Sequence, residues 1–149
     1  MVMLITSDSF KPNDYIPKKY SGYGDDVNPT LMISDIPKET KTLALIVEDP
    51  DSPGRVWQHW LIWNIPPETK VIEENSVPNG AVQGLTDFGQ AKYGGPMPHA
   101  DTHHYHFKLY ALNKTLDLPE ESSRAQLDEA MKGAVIDLSE IVGLYSAPM

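Results

Sequence analysis

Residues 49–66 read DPDSPGRVWQHWLIWNIP, two aspartates set between prolines and a histidine at the mouth of an apolar run. A second concentration follows at 94–106, GGPMPHADTHHYH. A carboxylate beside an imidazole can hold or move a proton, and an imidazole beside a phenol offers hydrogen bonds to a polar ligand. The residues that could do this are Asp49, His59, His103 and Tyr105. Asp49 with either histidine could serve as an acid–base pair in a hydrolase or lyase, although no feature of the sequence demands turnover.

The surrounding elements decide whether these groups can meet. Thr42–Glu48 (TLALIVE) and Trp60–Ile65 (WLIWNI) are too short for helices and apolar on both faces, as central strands are. Tyr105–Leu112 (YHFKLYAL) alternates and predicts a third strand. Side chains two residues apart share a strand face. Asp49 therefore extends the row Leu43, Leu45, Val47, and His103 and Tyr105 extend the row Phe107, Leu109. By the same rule His59 joins Leu61, Trp63 and Ile65. Four polar groups then cap core-facing rows, and if the strand ends converge they line a pocket at the rim of the core.

Pro50 and Pro53 stiffen the chain beside Asp49, and Gly94-Gly95-Pro96-Met97-Pro98 precedes His103. Glycine lets a ligand approach the backbone, and proline holds a loop at little entropic cost. Each residue also has a plainer use. A single histidine at a strand end is usually a satisfied structural group. Asp51 reads as an acid hydrogen-bonded to a turn backbone. Trp57, Trp60 and Trp63 read as core aromatics, with Trp57, outside the expected strand, as the pocket wall.

The remaining pattern is that of a small β protein. Met3–Thr6 and Leu31–Ile33 are short apolar starts, and Val135–Tyr145 alternates Ile136, Leu138 and Val142 with Asp137 and Ser139. Ser123 and Gln126 form a capping-box pattern before Leu127, Ala130, Met131 and Ala134, which predicts one helix ended by Gly133. The 10 glycines and 13 prolines are spread as turn punctuation. Short strands spaced by turns predict a mostly β chain, an antiparallel β-sandwich with one or two short helices, in a single domain over residues 1–149.

Composition excludes several functions. There is no cysteine, hence no disulfide, thiolate nucleophile or thiolate metal site. The net charge is −9 with no offsetting Lys/Arg cluster, which argues against nucleic acids and anionic membranes. Any anion must be held by a local pocket. No signal peptide, membrane span or lipidation motif is visible, so a cytoplasmic protein without stable membrane association is expected. His104 and His106 share a face, but zinc needs three or four ligands and the sequence offers no acid at matching spacing; no metal and no cofactor is expected. No G-x-S-x-G elbow or P-loop occurs, and Ser52 and Ser76 lack a nameable base.

The segment from Thr42 to Pro66 resembles the D-P-D-x-P…H-[WF]-L…N-I-P motif of the phosphatidylethanolamine-binding protein family, which includes the Raf kinase inhibitor proteins. GGPMPHADTHHYHFKLYAL resembles the family's G-P-x-P…H-R-Y…L-Y-A-L motif, and IPKKYSGYGDDVNPTL and TDFGQAKYGGP are similar to phrases of its bacterial and archaeal branch. The resemblance runs over nearly the whole chain. It implies a β-sandwich with a small anion pocket for phosphate-type groups such as phosphoethanolamine, a phosphorylated small molecule or a phosphopeptide. It implies ligand-binding roles for Asp49, His59, His103 and Tyr105, with Pro53, Trp57, Gly95 and Pro96 as wall positions. Inhibition of a kinase or serine protease through protein contacts is the alternative the family suggests, and a homodimer is the assembly its microbial branch suggests.

Two positions depart from the motif. The arginine of H-R-Y is His104, and the glycine two residues before the first histidine is Asp101. Strand alternation points His104 away from the pocket, so the anion site is expected to survive its presence. Asp101 adds negative charge at the rim. Binding through imidazoles predicts an affinity that rises as pH falls through about 6.5.

Overall fold

A computed structural model describes residues 2–149. Two antiparallel sheets face each other, and the residue pattern explains why. β3 (Thr42–Asp49) and β4 (Trp57–Ile65) are almost wholly buried and lie inside a sheet of five strands. Its order is β6 (Val82–Gln83), β4, β3, β7 (Thr102–Leu112) and β8 (Val135–Ser146). β1 (Leu4–Thr6), β2 (Leu31–Ser34) and β5 (Val71–Ile72) form the smaller sheet. The facing rows interlock as a sandwich core. Met3, Ile5, Leu31, Ile33 and Ile72 pack against Leu43, Leu45, Val47, Phe107 and Leu109.

The other face of the large sheet needs its own cover, because β3 and β4 are apolar on both sides. Helix α1 (Arg124–Met131) supplies it, with Leu127 and Met131 packed on Ala44, Ile46, Leu61 and Trp63. The Ser123 hydroxyl accepts the Gln126 N–H while the Gln126 side chain accepts the Ser123 N–H, so the expected capping box is formed. Gly133, at φ +74°, turns the chain out of the helix. Ser123→Ala is expected to lower stability by about 1 kcal/mol in urea denaturation. The second short helix is a 3₁₀ turn at Lys18–Tyr20.

Strict alternation fails at three places, and in each case a register shift is the cause. In β4, Trp60, Ile62 and Ile65 face the sandwich core, whereas Leu61 and Trp63 face the helix. His59 therefore does not continue a row with Leu61, Trp63 and Ile65. Val47 pairs with Trp60 but Glu48 pairs with Gln58, so His59 is the extra residue of a β-bulge. A second shift between Leu43 and Leu45 returns Ile65 to the core, with Asn64 at φ +56°. In β8 a shift opposite Ala111/Leu112 puts Ser139 and Ile141 inward and leaves Leu138 half exposed. Ser139 is kept inside because its Oγ accepts the Ile5 N–H at 3.1 Å.

Candidate functional site

The bulge in β4 is the device that assembles the site. Bulges re-aim one side chain without ending the strand. Here the bulge turns His59 toward the ends of β3 and β7 while Gln58 and Trp57 still pair with Glu48 and Asp49. Asp49 (β3), Trp57 and His59 (β4) and His103 and Tyr105 (β7) then line one cavity of about 290 Å³, the lower end of the range for small-ligand sites. β4 and β7 begin earlier than the sequence predicts, at Trp57 and Thr102, so these groups stand on strands rather than on flanking loops.

Asp49 is 3% exposed and both its oxygens are occupied. Oδ1 accepts the Asp51 N–H at 2.8 Å, and Oδ2 accepts from His103 Nδ1 at 2.6 Å. His59 Nδ1 donates to the Gly94 carbonyl at 2.8 Å, and the Gly94 N–H donates to the His59 carbonyl at 2.9 Å. The loop after β6 is thus tied to β4 twice. The imidazole of His59 meets the rings of Tyr105 and Phe88 edge-on, at 5.1 and 5.2 Å between centroids. Burial holds His59 below its ordinary range, so it is neutral at neutral pH. Burial likewise pushes the Tyr105 phenol far up, so it remains a neutral donor. Tyr105 Oη and Trp57 Nε1 are buried and have no hydrogen-bond partner among the described residues. Buried donors are normally satisfied, so these two stand out, each closed off from water-sized contact behind the cavity surface.

Six of the eight predicted site residues meet here: Asp49, Pro53, Trp57, His59, His103 and Tyr105. Gly95 and Pro96 do not line this cavity. Their backbone is turned onto the loop at 20–26 instead. The Gly95 N–H donates to Asp26 Oδ1 at 2.7 Å, and the Pro96 carbonyl accepts the Gly22 N–H at 2.8 Å. A Cβ on Gly95 would overlap the Tyr20 carbonyl oxygen, so glycine is required for that close approach. The wall positions expected there are taken by Met97 and Pro98.

Asp51 corrects a second expectation. Its carboxylate does not cap a turn. Asp51 lines the cavity, and its Oδ2 accepts from the backbone N–H and Nδ1 of His104, at 2.8 and 2.7 Å. Burial alone would lift the Asp51 carboxyl, but the bonds from His104 outweigh it and hold Asp51 below the usual range. His104 lies outside the cavity, as alternation predicts. His104 and His106 each face their own carboxylate, Asp51 and Glu140, rather than a common ion. Asp101 adopts φ +62°, the left-handed conformation that glycine favours and aspartate tolerates, and it stands on the cavity rim.

Sequence reasoning assigned no role to Phe88, Met97, His99 or Ser52, all of which line the cavity. Met97 and His99 fall inside the quoted G-P-x-P segment, which was the available signal. Phe88 comes from a loop remote in sequence and had none. Ser52 makes no hydrogen bond to either imidazole. Three carboxylates, Asp49, Asp51 and Asp101, line the cavity with three histidines and no lysine or arginine.

Comparison with known proteins follows this geometry. A family model described as "Phosphatidylethanolamine-binding protein" matches residues 6–146. A UPF0098 protein of Pyrococcus horikoshii is 45% identical over 150 residues, covering 95% of this chain and 76% of that protein. A UPF0098 protein of Methanothermobacter thermautotrophicus is 41% identical, covering 96% of this chain and 98% of its own length. A solved structure from Chlamydia trachomatis, described as a phosphatidylethanolamine-binding protein homologue, superposes with a TM-score of 0.94 at 40% identity, over 99% of both chains. E. coli YbcL, described as a member of the mammalian family, gives a TM-score of 0.93 at 31% identity, over 99% of this chain and 100% of that one.

Proposed function

The chain belongs to the phosphatidylethanolamine-binding protein family, and from that premise we propose that the cavity at the ends of β3, β4 and β7 binds a phosphate-type group without chemical turnover. The observation that carries this reading is the pair of imidazoles, His59 and His103, each anchored through Nδ1 and lining one cavity with Trp57 and Tyr105. Hydrogen bonds to an ionised oxygen are about twice as strong as neutral ones, so an imidazole that carries a second proton on Nε2 favours an oxyanion. Phe88 and Met97 stand 38% and 40% exposed among the lining residues, with Pro53 and Pro98 beside them. That apolar collar favours a phosphoester with an organic body (a head group, small metabolite or phosphopeptide) over bare phosphate. No helix among the described residues is long and apolar enough to cross a membrane.

The test is a two-dimensional amide NMR titration with inorganic phosphate and O-phosphoethanolamine at pH 6 and pH 8. Saturating shifts grouped at Asp49, Trp57, His59, His103 and Tyr105, tighter at pH 6, are expected. An unchanged spectrum at both pH values would remove the reading.

A further inference from the structure

The hydrogen positions in this cavity constrain what can enter it. A neutral imidazole carries one N–H. In His59 that hydrogen is on Nδ1, because the Gly94 carbonyl opposite it can only accept. In His103 it is also on Nδ1, because the facing group is the carboxylate of Asp49. Nε2 of His59 is then a lone pair, Nε2 of His103 donates only if that ring carries a second proton, and neither has a hydrogen-bond partner among the described residues. A fully ionised phosphate also presents only lone pairs. An Nε2 lone pair facing an acceptor-only ligand repels it, and a proton between the two turns that repulsion into a hydrogen bond.

The charges around His59 sharpen the conflict. From β3 it faces Asp49, from β7 His103 and Tyr105, and from the loop after the 3₁₀ turn Asp26. The cavity wall adds Asp51 from the loop after β3, and His99 and Asp101 from the loop before β7. The cation Arg55 is paired with Asp87 at 2.9 Å and lies over the Trp57 ring, and it does not line the cavity. No fixed cation therefore offsets an incoming anion.

We propose that this site admits its anion only together with a proton, which lies between a phosphate-type oxygen and Nε2 of His59 or His103, each locked by its Nδ1 bond to Gly94 or Asp49. The inference rests on the anion-binding reading and specifies its ligand: a monoanionic, proton-bearing phosphate group, or a dianion that converts an imidazole to imidazolium. The two are the same complex in proton count. The aromatic edges of Phe88 and Tyr105 fix the His59 ring plane, so the ring cannot turn a different nitrogen to the ligand without losing the Gly94 bond.

The test is isothermal titration calorimetry of the full chain with inorganic phosphate and with sulfate, at pH 5.5, 7 and 8, in two buffers of different ionisation enthalpy. The buffer dependence reads the protons taken up per anion. About one proton per anion is expected at pH 8, where free phosphate is mostly the dianion, and the uptake with phosphate falls toward zero at pH 5.5, where it is already the monoanion; in the upper range affinity rises up to tenfold for each unit of falling pH. Sulfate remains ionised throughout, so uptake on sulfate binding places the proton on the protein, on an imidazole if the ring ¹⁵N shifts of His59 or His103 follow it and on an aspartate, against the proposal, if they do not. Uptake with phosphate alone, without sulfate binding, places it on the phosphate; the imidazole and the phosphate placements both support the proposal. Binding at pH 8 with no proton exchange, or with proton release, overturns it and leaves the anion site standing. No binding of either anion at any pH overturns both.

Discussion

His103→Ala is expected to weaken phosphate binding at pH 6 by roughly 100-fold. A hydrogen bond to a charged group contributes about 1.5–3 kcal/mol, which is roughly 10- to 150-fold in affinity. The variant also leaves Asp49, 3% exposed, as an unpaired carboxylate facing the ligand. That second effect destabilises the fold as well, so the single variant is ambiguous by itself. Adding Asp49→Ala removes the stranded charge. The double variant is expected to regain stability in urea denaturation while its affinity remains low. If phosphate affinity returned with stability, His103 would be structural and the site reading would fail.

Asp49→Asn separates charge from orientation. Oδ1 is fixed by the Asp51 N–H, so the amide oxygen must remain there and the amide nitrogen must face His103. A donor now faces Nδ1, which drives the imidazole hydrogen to Nε2. The ring then donates to the ligand while neutral. Phosphate affinity in this variant is expected to vary less between pH 6 and 8 than in the wild type, although a negative charge has been removed from an anion site.

The second large effect lies directly behind the site. Glu48, 6% exposed, faces the helix side of β3. It accepts from Lys108 Nζ at 2.8 Å, Gln58 Nε2 at 3.0 Å and the Arg124 guanidinium. This cluster ties β3, β4 and β7 to the first residue of α1. Burial would lift the Glu48 carboxyl, but these bonds and the Arg124 charge outweigh it and hold the pKa at about 2. A carboxylate with a depressed folded pKa stabilises fully above its ordinary value near 4.5 and loses that contribution as pH falls toward 2. The loss over that window is roughly 3 kcal/mol. Urea denaturation at stepped pH is expected to show it in the wild type and to show a shallower slope in Glu48→Gln. Identical slopes would exclude Glu48 as a main acid-sensitive group.

How far the sequence could be read depended on backbone phase. Alternation placed Asp49, His103 and Tyr105 on the core-facing rows they occupy, because β3 and β7 keep register with each other from Thr42 to Glu48. It misplaced the His59 row, because a bulge inserts one residue and no residue type announces it. The capping box at Ser123 was legible because it is a local hydrogen-bond pattern. Gly95 and Pro96 were expected on the cavity wall, but they serve a contact with the 20–26 loop that is remote in sequence. Asp51 was read by its turn context, whereas its partner, His104, lies 53 residues away on β7. Long-range pairings of this kind, including Phe88 against His59, become visible only once the sheets are assembled.

Long-range proton–nitrogen NMR of the imidazoles tests the central claim most directly. Recorded on ¹⁵N-histidine-labelled protein at pH 7 during titration with inorganic phosphate, it reports each ring nitrogen separately. The free protein should show Nδ1 protonated and Nε2 bare in His59, and Nδ1 protonated in His103. On saturation, at least one of the two Nε2 resonances should move, fully to the protonated position if the imidazole takes the proton or part-way if it accepts a hydrogen bond from a proton-bearing phosphate, with the same dissociation curve as the amide shifts at Tyr105. Phosphate that binds while both Nε2 resonances remain fixed, or that shifts only residues outside this cavity, would contradict the account.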